Sequence, residues 1–185
     1  MIYGLPESVE LDGKEYEIRS DFRVILGIIE ILNDLELTEP ERGYLSLRLF
    51  FTNFDDIPIS LYQEALKKMF WFINYGDDTP QEKDQPKLMD WEKDYQVIIA
   101  PVNRVLGHDA RTDKHLHWWT FLGAYMEIGD CTFAQIVGIR NKLQKGEQLD
   151  KSDREWYRKN RNLVDLEKSY TSEDMELLEK WGGKQ

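Results

Sequence analysis

Cysteine is nearly missing from this 185-residue chain, Cys131 being the only one. A single thiol closes no internal disulfide and cannot by itself build a cysteine-rich zinc site. That excludes a disulfide-stapled secreted scaffold and points to a reducing cytoplasm. Long apolar runs are missing too, since none approaches the roughly 20 residues that cross a bilayer. The opening MIYGLPESVELDGKEYEI has no basic segment followed by an apolar one, so the chain reads as soluble and unprocessed, without membrane contact. Basic residues are outnumbered, 24 Lys and Arg against 35 Asp and Glu, for a net charge of -11 and a pI near 4.8. Affinity for nucleic acid depends on Lys and Arg displacing counterions from phosphates, so this balance argues against non-specific DNA or RNA binding. Phosphate-binding glycine loops, the nucleophile elbow and the HExxH zinc motif are absent as well. The many carboxylates fall into no catalytic spacing and read as solvated faces. No repeat of 20 to 50 residues marks a solenoid.

What is present suits one mainly α domain over residues 1–185: 41% of the residues are hydrophobic and six are tryptophan. A chain of this length buries roughly 70% of its unfolded surface. VELDGKEYEI alternates around Asp12-Gly13, a pair that accepts positive φ, and predicts a β-hairpin over about residues 8–19 with Val9, Leu11, Tyr16 and Ile18 on one face. The period then lengthens to about 3.6. A first helix follows Ser20 as N-cap, carrying Phe22, Ile25, Ile29 and Leu32. A second opens on a Thr38/Glu41 capping box with Pro40 in its first turn. A third follows a Ser60/Gln63 box and stops at Gly76. GDDTPQEKDQPK, residues 76–87, has no large apolar residue to bury and is expected to be a mobile acidic loop. A fourth helix carries Leu88 through Leu106, interrupted by Pro101 and ended by Gly107. A fifth is expected over 114–128, a sixth from Thr132 with Gln135, a seventh from Ser152 with Glu155. The eighth runs from Ser172 to Gly182-Gly183, followed by a short tail expected to fray.

HLHWWTFLGAYMEIGDCTFAQIVGIR, residues 115–140, concentrates two of the three histidines, the cysteine and a tryptophan pair. On a helix His115 and His117 point about 200° apart and cannot share a metal. An extended segment before Trp118 would let them face one way, with His108 or Asp113 completing a shell, which sets a metal-dependent enzyme using His108, His115, His117 and Cys131 as an alternative. The apolar faces Trp118/Leu122/Tyr125 and Leu116/Trp119/Gly123/Met126 favour a helical core instead, with Cys131 as a small buried hydrophobe. The expectation is therefore no enzyme activity, no cofactor and no metal. DREWYRKNRN, residues 153–162, interleaves cations with aromatics as partner surfaces do, or forms an amphipathic helix with exposed arginines.

The order of YGLPESVELDGKEYEIRSDFR, MFWFINYG, DWEKDYQVIIAPVNRVLG, the LHWW and IVGIR segments and REWYRKNRN resembles the bacteriophage gene-product-fifteen family over about residues 1–165. Tryptophan pairs are rare, so LHWW followed by IVGIR and WYRK is its most telling portion. The terminal segment after Leu163 falls outside it. The resemblance implies a tail assembly chaperone in the host cytoplasm, with the tape-measure protein, the tail-tube protein or both as clients, self-association as a further expectation, and no catalytic residues. A structural or adaptor subunit of the phage particle is the runner-up. Large aromatics bury much area at modest entropic cost, which makes Trp156, Tyr157 and Trp181 candidate partner contacts. The alternative is that they dock the last helices on the core.

Overall fold

The computed structural model describes residues 4–79 and 87–166. The chain enters through an antiparallel hairpin, β1 (Ser8–Leu11) and β2 (Lys14–Glu17), with Val9 opposite Tyr16. Asp12 and Gly13 turn it with φ of 48° and 76°, the positive pair that a two-residue loop needs to match strand twist. Alternation places Val9, Leu11, Tyr16 and Ile18 on one side, and all four are buried. Two strands alone are marginal in water. This pair is held by the helices beyond it: Ile18 bridges Phe51, and Tyr16 meets the Phe51 ring edge-on.

Eight α-helices follow among the described residues: α1 (Phe22–Asn33), α2 (Glu39–Phe50), α3 (Tyr62–Ile73), α4 (Trp91–Leu106), α5 (Trp118–Met126), α6 (Thr132–Gln144), α7 (Lys151–Lys159) and α8 (Arg161–Val164). The sequence expectation of a mainly helical domain with an N-terminal hairpin matches this architecture. α1 sits centrally, packed on α2, α4 and α5, while α6 leans on α4 and α8. Phe22, Ile25 and Ile28 recur at i, i+3 and i+6 and have no exposed surface, so one face of α1 is sealed into the core. Phe22 stacks on Phe121 of α5 with ring centroids 4.5 Å apart. Ile136, Ile139, Leu149 and Val164 form a smaller cluster, joined to the main one through Val97.

Helix starts depart from the sequence expectation by one to three residues where a better acceptor stands nearby. Asp21, not Ser20, caps α1 by accepting from the Arg23 N–H at 3.0 Å, because the Ser20 hydroxyl is buried and donates to Glu7. The Thr38/Glu41 box forms as expected: Glu41 accepts from the Thr38 N–H at 2.9 Å and its hydroxyl at 2.6 Å. The Ser60/Gln63 box does not form, since Ser60 lies inside the 3-10 turn Ile59–Leu61 that leads into α3. Leu88 precedes α4, which Asp90 caps, and α4 continues through Pro101 to Gly107 at φ 78°. Asp150 caps α7 in place of Ser152, because its carboxylate accepts from the Asp153 N–H at 2.9 Å. The helix expected from Ser172, the tail beyond it and residues 80–86 of the 76–87 loop lie outside the described residues.

Asp21 also fastens α1 to the 115–118 segment, accepting from the Leu116 N–H at 3.0 Å. Burial alone would raise its pKa, but hydrogen bonds from the Arg23 guanidinium and from the Leu116 and Arg23 amides hold the carboxyl below the usual carboxylate range. A depressed folded-state pKa gives stability that is complete above the unfolded value and is lost as pH falls through the folded one. Asp21→Ala is therefore expected to lower the melting temperature near neutral pH, a cap of this kind contributing about 1 kcal/mol. The gap from wild type should shrink below about pH 4. Melting curves across that window check it, and a constant gap would show that the carboxylate's charge is irrelevant.

Candidate functional site

The histidine-bearing segment is extended up to His117, and the helix expected over 114–128 begins only at Trp118. The cause is pairing across α1: the Phe22 N–H donates to Leu116 O at 2.9 Å and the Trp118 N–H to Ser20 O at 2.7 Å. Extension does not bring the imidazoles together. His117 Nδ1 accepts the Trp119 N–H at 3.0 Å, capping α5, so its proton sits on Nε2, which donates to Pro6 O at 3.0 Å. His115 Nε2 lies 3.1 Å from the Ser20 hydroxyl, whose own proton goes to Glu7 at 2.8 Å. His108 is exposed and meets Asp113 at 2.8 Å, a bond that raises its pKa. Cys131 is half-buried rather than a buried hydrophobe: its sulfur is 3.5 Å from the Ala134 N–H and caps α6, where the sequence pointed to Thr132 and Gln135. No group of three or more His, Cys, Asp or Glu side chains with metal-site geometry occurs among the described residues. The segment thus spends its polar atoms on joining the hairpin entry, α1 and α5.

The tryptophan pair has a different task. The last carbonyls of a helix lack partners within it. Trp118 Nε1 donates to Ile73 O at 2.9 Å and Trp119 Nε1 to Phe72 O at 2.8 Å, so adjacent indoles close the C-terminal end of α3. Trp118 faces the core at 1% exposure, while Trp119 lies against Trp71 and Tyr75 nearer the surface. Gly76 completes this end with φ +84°, its N–H donating to Trp71 O at 2.8 Å. A methyl there would stand 3.2 Å from Trp119 Cη2. Gly76→Ala should cost about 1–2 kcal/mol from the left-handed backbone, readable as a fall of about 2–8 °C in melting temperature. An unchanged melting curve would mean that the turn relaxes freely.

A second polar cluster carries more consequence and is not evident from spacing rules. Arg140 is 4% exposed, and all five of its N–H groups are used. The guanidinium forks onto Asp94 at 2.6 and 2.9 Å, and it also donates to Leu88 O at 3.0 Å, Leu163 O at 2.8 Å and Val164 O at 2.6 Å. One side chain thereby binds the entry of α4 to α6 and stops the orphan carbonyls of α8. The signal in the sequence is a charge on an apolar stripe in each of two helices: Asp94 between Trp91, Tyr95 and Ile98, and Arg140 beside Ile136 and Ile139.

Trp156 and Tyr157 are half-buried against the Ile136/Ile139/Leu149/Val164 cluster, and the Tyr157 hydroxyl donates to Asp165 at 2.6 Å. Trp181 lies outside the described residues. An apolar opening lies elsewhere, between α1 and α4, as a groove of about 640 Å³ whose floor includes Leu26, Ile29, Leu35, Trp91 and Tyr95. The sequence assigns Ile29, Trp91 and Tyr95 to helix faces, but spacing along one helix cannot show that an opening between α1 and α4 leaves them half-buried. No helix among the described residues is long and apolar enough to cross a membrane.

Hairpin, helices and groove define the class as a mainly helical domain with polar locks inside and an apolar opening outside. The chain belongs to the family described as Bacteriophage Gp15 protein, whose model matches residues 1–166. No curated protein and no solved structure matches it.

Proposed function

We propose that this phage protein is a tail assembly chaperone that binds the tape-measure protein, the tail-tube protein or both in the host cytoplasm, without turnover of a small molecule. The observation that carries this reading is membership of a bacteriophage family along residues 1–166, a span that contains every described residue. The α1/α4 groove supports it physically. A long helical client exposes an apolar stripe until the tube closes around it, and such a stripe is covered by laying it into a hydrophobic groove. Burial of apolar area supplies affinity without any bond being made or broken, which agrees with imidazoles and a thiol that are engaged in caps and joints.

A pull-down from infected cells with the full chain as bait, read by mass spectrometry, tests this. Tape-measure or tail-tube protein should be retained, and the bait should be missing from purified particles. Retention of neither client removes the chaperone reading. Persistence in finished particles makes the protein a structural or adaptor subunit instead.

A further inference from the structure

We infer that the α1/α4 groove takes one cationic amphipathic helix, with lysine or arginine on the flanks of a short apolar stripe. The floor supplies the apolar half of the match, since Leu35 is 44% exposed and Leu26, Ile29, Trp91 and Tyr95 are only half-buried. Residues 26–33 of α1 form a wall about 11 Å long, the span of side chains at i, i+4 and i+7 on a facing helix. The rim supplies the charge. Glu30, Asp34, Glu36, Asp90 and Glu92 line it against only Arg23 and Lys87. Both cations are already engaged: Arg23 holds Asp21 at 2.8 Å and reaches the carbonyls of Asp113 and Lys114, while Lys87 holds Asp90 at 2.6 Å. Glu30, Asp34 and Glu92 therefore present their charge to the occupant.

The end of α1 adds to this field. A helix C-terminus carries partial negative charge and ordinarily attracts cations. The last turn of α1 has no basic residue, and Asp34 follows it directly. From α2, Arg42 reaches the Asp34 carbonyl at 3.4 Å, while the Asp34 carboxylate accepts from the Glu36 N–H at 2.9 Å, a neutral donor that leaves its charge in place. Like charge disfavours two other occupants. Residues 167–185 of this chain hold five carboxylates against three lysines, and a second copy brings a net charge of -11. Only the client's identity rests on the chaperone reading; the chemistry of the groove is tested without it.

The test uses the full chain and a synthetic helix of about 18 residues with leucine at i, i+4, i+7 and i+11 and lysine on its flanks. A twin peptide has glutamate for lysine. Titration at low salt, read by calorimetry and by amide shifts, should show the lysine peptide binding at least about tenfold more tightly than its twin, with shifts centred on 26–35 and 91–95. Glu30→Lys/Glu92→Lys should weaken that binding about tenfold or more at an unchanged melting temperature. Glu10→Lys/Glu147→Lys changes net charge equally at exposed sites away from the groove and should leave the affinity within about twofold. Equal losses in both double variants would show diffuse attraction and overturn the proposal, as would equal binding of the two peptides or shifts elsewhere. Sedimentation of the wild type tests self-association: a dimer that Glu30→Lys/Glu92→Lys dissolves would make a second copy the occupant and overturn the proposal too. If the peptide result holds while the pull-down from infected cells retains neither client, the groove stands and the chaperone reading falls.

Discussion

Arg140→Met destabilises the fold by about 3–5 kcal/mol, because it strands a buried charge at Asp94 and removes the donors from three carbonyls. Asp94 is 1% exposed, and the fork from Arg140 is what neutralises it. A net stability of about 5–15 kcal/mol is usual for a domain, so the loss is a large fraction of the whole. Urea denaturation followed by tryptophan fluorescence should show a markedly lower midpoint. Arg140→Lys should recover little, since a single ammonium cannot reproduce a planar fork with five donors. The double change Arg140→Met/Asp94→Leu should recover part of the loss by removing the stranded charge. Recovery stays partial because Leu88, Leu163 and Val164 keep carbonyls that no methionine satisfies. An Arg140→Met midpoint equal to wild type would mean that water or another cation replaces the guanidinium.

Trp118→Ala has the second large effect, again about 3–5 kcal/mol, from lost burial plus the cavity left behind. The ring is sealed between Trp91 and Phe121, with centroids 5.8 Å away in each case, and its N–H holds the end of α3. Trp118→Phe should cost less, because a phenyl keeps most of the packing and forfeits the bond to Ile73 O. Trp156→Ala, at a half-buried position, should cost less than Trp118→Ala. The order of these three midpoints, measured by denaturation, separates a core tryptophan from a surface one. If Trp156→Ala proves the most damaging, the weight of the fold lies around α7 and not around α5.

The two variants also mark where sequence patterns were legible. The hairpin was readable because Asp12-Gly13 constrains φ directly and alternation constrains the faces of Val9, Leu11, Tyr16 and Ile18. The Thr38/Glu41 box was readable because both partners lie within one turn. Caps at Ser60, Thr132 and Ser152 were displaced because several residues near a helix start can accept from its amides, and only the path of the incoming chain selects one. The helix expected over 114–128 lost its first turn for a related reason. Residues 115–117 pair with the start of α1, about 95 positions earlier, and a local period carries no information about such a partner.

The candidate site divides in the same way. That the 115–140 stretch packs a core follows from its apolar faces, and the family follows from the order of its motifs. Aromatic bulk and interleaved cations mark Trp156 and Tyr157 as candidate contacts in the sequence, but neither reveals how much of each ring the Ile136/Ile139 cluster covers.

By itself, then, the sequence determined what depends on neighbours along the chain: the hairpin turn, the order of helices α1 to α7, the acidic surface and the family. Tertiary structure decided what depends on elements far apart in sequence meeting in space. Asp94 and Arg140 become a lock only when α4 and α6 touch. Trp118 and Trp119 become caps only when α5 crosses the end of α3. The groove exists only because α1 and α4 meet with an opening between them. Each of these is a distance between groups tens of residues apart, and residue spacing along one helix or strand does not encode it.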